Sequence, residues 1–168
     1  MAANKRLKIS YIVPDFDEGA YSSGLYVIFE HCNRLIARGH EVRVFNNTGK
    51  KSRYLKLDCP VELHKNYPSI VESNSPDIIV GTYWHTYFFI NRMKEVVKNN
   101  TKLCFLVQGN DRLIYSEEDR QLIYKAMTTR YMGVIPIYKI AISRYLKDVL
   151  KEDYGQESVC IRNGLDVR

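Results

Sequence analysis

Four short segments carry the side chains best suited to meet a small polar ligand: residues 15–24, Thr82-Tyr83-Trp84-His85, Gln108-Gly109-Asn110-Asp111 and Ser143-Arg144. Ser23-Gly24 stands where a helix is expected to begin, so its backbone N–H groups could approach a phosphate, with the helix dipole favouring negative charge. A glycine that only eases the turn is the plainer alternative. His85 could hydrogen-bond a hydroxyl, act as a base, or simply pack against the sheet. Trp84 is the only tryptophan, and its indole offers a flat surface to a sugar ring or a base. Burial in a core would suit it equally, and the same holds for Tyr83 and Tyr87. Gln108, Asn110 and Asp111 would gather hydrogen-bonding groups at one mouth, with Gly109 supplying backbone freedom. Their alternative is an Asx-type turn that caps the next helix. Asp15, Asp17 and Glu18 could hold a cation, although an acidic loop is ordinarily just solvated.

Other chemistries find little support. No Ser-His-Asp order with a nucleophile elbow can be assembled, and no metal-ligand spacing occurs, so hydrolase and metalloenzyme readings are poor. The dinucleotide fingerprint of three spaced glycines is absent, since this region holds only Gly19 and Gly24, and no phosphate-cradling Gly-Lys-Ser/Thr loop occurs. A nucleotide-dependent oxidoreductase is therefore disfavoured. His31 and His64 read as structural or exposed, and His40 belongs to a crossover turn.

The elements that must position these residues alternate between strand-like and helical patterns, the form of stacked βαβ units in an α/β protein. Strands are expected at residues 8–13, 41–45, 78–81, 103–107, 138–142 and 158–161, with a short edge strand at 61–63. That makes a Rossmann-like parallel sheet of about six or seven strands flanked by helices. Helices are expected from Gly24 to the Gly39 stop, over 84–98, over 117–130, and from Ser143 or Arg144 to Tyr154 before Gly155. Val27, Ile28, His31, Leu35 and Ile36 form the inward stripe of the first helix, and Leu122, Ile123 and Ala126 that of the third. Residues 46–60 lack periodicity and read as a surface loop. In open parallel sheets ligands sit beyond the carboxyl ends of the strands, and each of the four segments follows a strand.

A length of 168 residues suits one folding unit with a genuine core, and 45% hydrophobic with 26% charged residues excludes a disordered chain. No run approaches the roughly 20 apolar residues of a membrane-spanning helix, and residues 1–6 lack the apolar core of a signal peptide. A cytoplasmic location is expected. Cys32, Cys59, Cys104 and Cys160 have no paired spacing, and Cys104 and Cys160 read as buried thiols. A net charge of +6 would suit an anionic partner. Without an RNA-binding signature nucleic acid is not the expected partner; a phosphorylated substrate or a peripheral contact with the inner face of a membrane would suit the charge, and solvated lysines explain it equally well.

The sequence Val27-Ile28-Phe29-Glu30-His31, Asn33-Arg34-Leu35 and Ala37-Arg38-Gly39-His40-Glu41-Val42 resembles the first helix and second strand of group 1 glycosyltransferases, family 4. Later landmarks follow in the family's order: Asp77-Ile78-Ile79-Val80, Ala141-Ile142-Ser143-Arg144-Tyr145-Leu146, Tyr154-Gly155 and Ile161-Arg162-Asn163-Gly164-Leu165-Asp166. Tyr83-Trp84-His85 and Gln108-Gly109 look closest to rhamnosyl- and related cell-surface polysaccharide transferases. The resemblance implies the N-terminal half of a two-domain GT-B fold, with residues 1–162 as the acceptor-side domain and 163–168 as the start of a hinge. The partner it implies first is the C-terminal domain, which holds the donor through paired glutamates.

The implied reaction is retaining transfer from a nucleotide-sugar, which is a substrate; no cofactor is permanently bound, and the acceptor is a glycan or lipid-linked. By position, Ser23-Gly24 matches the family's glycine-rich turn near the donor diphosphate, with Ser in place of the first glycine. His85 and Asp111 fall at the positions implied to be catalytic. Tyr83, Trp84, Gln108, Gly109, Asn110 and Arg144 fall at substrate-binding ones. The alternative is a non-catalytic binding or scaffold subunit of a split glycosyltransferase. Sequencing the native gene past the Arg168 codon separates the two: continuation into a second α/β domain with the donor-gripping glutamates is expected, and a stop codon there would favour the split form.

Overall fold

The computed structural model describes residues 5–16, 18, 19, 21–63, 66–97, 100–113, 115–128 and 136–164. The chain begins with β1 (Lys8–Ile12), α1 (Ser23–Ala37), β2 (Glu41–Asn46), β3 (Val61–Leu63) and α2 (Tyr67–Asn74). It continues through β4 (Ile78–Gly81), α3 (Trp84–Met93), β5 (Lys102–Val107), a 3-10 turn (Asp111–Leu113) and α4 (Glu117–Thr128). β6 (Ile137–Ala141), α5 (Arg144–Tyr154) and β7 (Val159–Cys160) complete it. The strands form one sheet in the order β3-β2-β1-β4-β5-β6-β7, and every pairing is parallel. This is a Rossmann-like α/β fold. The chain winds outward from β1 in one direction and from β4 in the other, so the strand order reverses between them and a crevice opens at their carboxyl ends.

Side chains on successive strand residues point to opposite faces, which divides the core in two. On one face Tyr11, Val44, Val80 and Leu106 pack against Leu25, Ile28, Phe29 and Cys32 of α1. On the other, Ile12, Phe45, Ile79 and Leu103 meet Ile70 of α2 and Ile90 and Met93 of α3. Beside them Phe105, Val107 and Ala141 meet Ile123 and Met127 of α4 and Leu146 and Leu150 of α5. The helices begin and end as their sequences require. Ser22 caps α1 by accepting from the Leu25 N–H at 3.1 Å, and Ser143 caps α5 by accepting from the Leu146 N–H at 3.1 Å. Gly39 (φ +89°) and Gly155 (φ +61°) terminate the same two helices in the left-handed region.

Several expectations need correction. Residues 47–60 hold neither helix nor strand, yet Ser52, Leu55 and Cys59 are buried. Asn33 of α1 ties this segment down, donating to the Lys56 carbonyl at 3.0 Å and accepting from the Asp58 N–H at 2.8 Å. The loop is a covering layer on the sheet, which isolated apolar residues in a polar stretch do not announce. α2 was not anticipated, although Asn66 caps it by accepting from the Ser69 N–H at 3.0 Å. The buried stripe of α1 is Leu25, Ile28, Phe29 and Cys32, with His31, Leu35 and Ile36 half-buried at its edge. On α4, Leu122 is exposed and Met127 joins Ile123 inside. α3 ends at Met93, well before Lys98. Cys104 on β5 and Cys160 on the two-residue edge strand β7 are only half-buried, whereas Cys32 and Cys59 are buried. Asp17, His64, Ala126's side chain, residues 129–130 and the final Leu165-Asp166 lie outside the described residues. No described helix is long and apolar enough to cross a membrane.

Gly81 ends β4 in a space that admits no side chain. A Cβ there would stand 2.7 Å from Ile90 Cγ1, 2.9 Å from Thr86 Oγ1 and 3.3 Å from Phe105 Cδ2. Gly81→Ala is therefore expected to destabilise the fold by about 1–3 kcal/mol through overpacking. Thermal unfolding checks this, and an unchanged midpoint would contradict the packing described.

Candidate functional site

The site is organised by the turn between β4 and α3. The Thr82 hydroxyl donates to the Ile12 carbonyl at 2.9 Å, joining the carboxyl end of β4 to that of β1. The Thr86 hydroxyl accepts from the backbone N–H groups of Thr82 (2.9 Å) and Tyr83 (3.2 Å) and donates to the Tyr83 carbonyl at 2.8 Å. One buried hydroxyl thus accepts from two backbone N–H groups at the start of a helix, and it donates to a carbonyl that also accepts from the Thr86 N–H at 2.8 Å. Tyr83 is held extended (φ −131°, ψ 156°) just before α3, and Trp84 and His85 fall in the helix's first turn. Its ring stacks on His85 with centroids 6.1 Å apart.

Beyond β4 and β5 lies a cavity of about 270 Å³. Ser22, Ser23 and Gly24 of the α1 start line it together with Tyr83, Gln108, Gly109, Asn110, Asp111 and Tyr115. Tyr83 and Gln108 close tightly on Gly24: a Cβ there would come within 2.9 Å of the Tyr83 hydroxyl and 3.6 Å of Gln108 Nε2. Gln108 Nε2 and Asn110 Oδ1 are buried and have no protein partner, leaving one donor and one acceptor to spare. The amide nitrogen of Asn110 is occupied, donating to the Tyr145 hydroxyl at 3.0 Å. Asp111 is half-buried, and loss of solvent pushes its carboxyl up to about 6. Tyr115 is raised by desolvation and by the nearby Asp111 charge, and it shares a hydrogen bond with Trp84 that opposes the shift.

His85 faces a different hollow. This second cavity, of about 420 Å³, is lined by Val13, Pro14, Asp15, Asn47, His85 and Phe89 among others and lies at the β1–β4 reversal. The imidazole edge reaches solvent, but partial desolvation holds it below its ordinary range, against the opposing pull of the Asp15 carboxylate. Asp15 is otherwise engaged, accepting from Asn47 N–H at 2.7 Å and Asn47 Nδ2 at 2.9 Å. Glu18 pairs with Arg53 at 2.7 Å, which lowers its carboxyl through that hydrogen bond and charge. The described part of the acidic loop therefore pins the covering layer in place.

The structure thus brings Ser23, Gly24, Tyr83, Gln108, Gly109, Asn110 and Asp111 to one cavity and leaves His85 across Tyr83 in another. Trp84 lines neither; its ring packs edge-on against Phe88 and Tyr115 (5.9 Å for the latter). Tyr87 is buried against Phe105 at 5.0 Å, the packing alternative. Arg144 is exposed at the start of α5 and lines neither cavity. Thr86 and Tyr115 were not singled out from sequence, and Thr82 and Tyr145 were named only within longer segments, with no role of their own. Thr86 had a signal: a hydroxyl three residues after an expected helix start is a capping position.

No protein-family model matches the chain, and a comparison with characterised proteins gives no match. Among solved structures it is similar to glycerol-3-phosphate dehydrogenase from Coxiella burnetii, at 12% identity and a TM-score of 0.46. That likeness covers 94% of this chain and 54% of the other, so the chain spans about half its length. At that distance the similarity carries no weight.

Asp111 makes stability depend on pH. Its folded pKa of about 6 lies above the ordinary 3.8, so the folded chain keeps a proton that the unfolded chain has released between those values. The stability contributed by this group is whole below the lower value and is lost as pH rises through the upper one. Asp111→Asn should match wild type near pH 4 and exceed it above pH 7 by on the order of 2 kcal/mol. Urea unfolding of both proteins across that range tests this, and a constant difference would contradict it.

Proposed function

We propose that this chain is the Rossmann-like N-terminal half of a GT-B glycosyltransferase. Its reaction is retaining transfer of a sugar from a nucleotide-sugar to a glycan or lipid-linked acceptor. The observation that carries the reading is the cavity at the carboxyl ends of β4 and β5, where an unpaired donor on Gln108 and an unpaired acceptor on Asn110 flank Asp111. A sugar hydroxyl both donates and accepts, so it matches the chemistry of either group. The volume of about 270 Å³ falls just below the roughly 300–1,000 Å³ of whole small-molecule pockets, which fits one sugar ring and leaves the nucleotide to surfaces outside it. The ordered sequence landmarks from residue 27 to residue 166 supply the reaction class. A carboxyl that titrates near neutrality is suited to proton transfer, a task that a passive scaffold does not have.

Two features speak against a nicotinamide-dependent oxidoreductase, which shares this order of strands. The connection from β1 to α1 runs over residues 13–22, far from the tight glycine-rich turn that cradles a pyrophosphate. The end of β2, where an acidic residue would bind a ribose, carries Asn46 instead. Its side-chain oxygen accepts from Gly49 N–H at 2.6 Å and its nitrogen donates to the Lys50 carbonyl at 3.2 Å, so both are spent within the loop.

In the full-length gene product, incubation with a panel of nucleotide-sugars and cell-surface glycan or lipid-linked acceptors is expected to give transfer with retained anomeric configuration. His85→Ala and Asp111→Ala should each reduce it about tenfold to a hundredfold while leaving the fold intact, the scale of one oriented hydrogen bond of about 1–3 kcal/mol. Undiminished turnover in both variants would remove these residues from the site.

A further inference from the structure

We propose that a hollow beside α1, on the flank of the sheet, is a second ligand site, and that it takes a small carboxylate with an apolar body. The proposal stands apart from the sugar reading and does not depend on it. The floor of the hollow follows from strand alternation and register. Leu106 packs on the α1 face of the sheet and pairs with Ile140, which pairs with Val159, so all three point to that face. All-parallel sheets are ordinarily covered on both faces. Here α4 and α5 cover β5 and β6 from the opposite side, and no described helix covers β6 and β7 on the α1 side, where Val159 is 62% exposed. What remains is a hollow of about 280 Å³, floored by Tyr11, Val80, Leu106 and Ile140 and edged by His31, Arg34 and Arg38 of α1.

The chemistry of the lining selects the ligand. None of the lining residues is acidic, and the two arginines stand one helical turn apart. Glu30 pairs with Arg34 at 3.4 Å but does not cancel its field. His31 is held below its ordinary range first by desolvation and then by Arg34, and Glu30 opposes this more weakly. Arg38 is exposed and has no ion-pair partner among the described residues. Tyr11 adds an independent observation. It is 6% exposed, and its hydroxyl has no hydrogen-bond partner among the described residues. Burial holds the phenol well above its ordinary range, so it stays a donor. A buried polar group without a partner is the exception in a folded chain, and an acceptor on a ligand satisfies it. A carboxylate accepts from guanidinium and phenol alike, while the rest of the molecule covers Val80, Leu106 and Ile140. An engineered apolar cavity of about 150 Å³ already admits benzene, so about 280 Å³ accommodates an aromatic ring with a short side chain.

Isoleucine methyl resonances read this directly. In the full-length gene product, ¹³C-labelled at the isoleucine δ1 methyls, Ile140 reports the floor of the hollow, and Ile90, buried against the opposite face of the sheet, serves as the internal control. Ile140→Val assigns the signal by removing it. The probes are 3-phenylpropionate and its neutral amide. The expected result is a saturable shift of the Ile140 methyl by the carboxylate with Ile90 unmoved, and at least about fivefold weaker binding of the amide. Tyr11→Phe and Arg38→Gln should each weaken carboxylate binding by about twofold to tenfold. Because the Tyr11 hydroxyl is unpaired in the free chain, Tyr11→Phe should not lower the thermal midpoint. Equal or tighter binding of the amide, unchanged binding in either variant, a lowered midpoint in Tyr11→Phe, or no shift at Ile140 overturns the proposal. None of these outcomes touches the sugar reading, which the transfer assay tests separately.

Discussion

The geometry of this site depends on the hydroxyl of Thr86. It collects the N–H groups of Thr82 and Tyr83 and returns its own proton to the Tyr83 carbonyl, so these three backbone groups are paired where the turn between β4 and α3 closes. The neighbouring Thr82 hydroxyl then joins that turn to the end of β1 across the point where the strand order reverses. Both threonines are buried, where the effective dielectric is low and such bonds hold their geometry against solvent. Gly81 belongs to the same arrangement, because only a residue without a side chain lets the Thr86 hydroxyl and the Ile90 side chain approach the strand this closely.

What the turn positions is Tyr83, which separates the two hollows. Its ring stacks on His85 on one side, while its hydroxyl approaches Gly24 and borders the cavity on the other. The two titratable groups that flank it are shifted in opposite directions by the same cause. Partial burial disfavours charge on both, lowering the imidazole and raising the Asp111 carboxyl, so both are drawn toward their neutral forms.

Much of the scaffold was legible because it is written in local patterns. The apolar runs at residues 78–81 and 103–107 became central strands, and Gly39 and Gly155 ended helices where expected, since a C-terminal glycine answers a purely local backbone need. The errors share one origin. Leu55 and Cys59 look like stray apolar residues in a polar stretch, and only contact with α1 and the sheet makes them core. Leu122 and Met127 exchange roles because the stripe a helix buries is set by the neighbour it meets, and for α4 that neighbour includes α5, far along the chain.

By itself, the sequence determined the alternation of strands and helices, the parallel sheet, and the segments that would follow its strands, because periodicity and capping act over a few residues. It also determined that Gln108, Asn110 and Asp111 would share a mouth, since they are consecutive after one strand. Only the tertiary structure decided that the Gly24 turn would meet them, that Asp15 and Glu18 would be consumed by Asn47 and Arg53, and that His85 would face away from Asp111. Those outcomes depend on which strands lie side by side and on which way one tyrosine ring turns, and contacts between residues tens of positions apart leave no local pattern from which to read them.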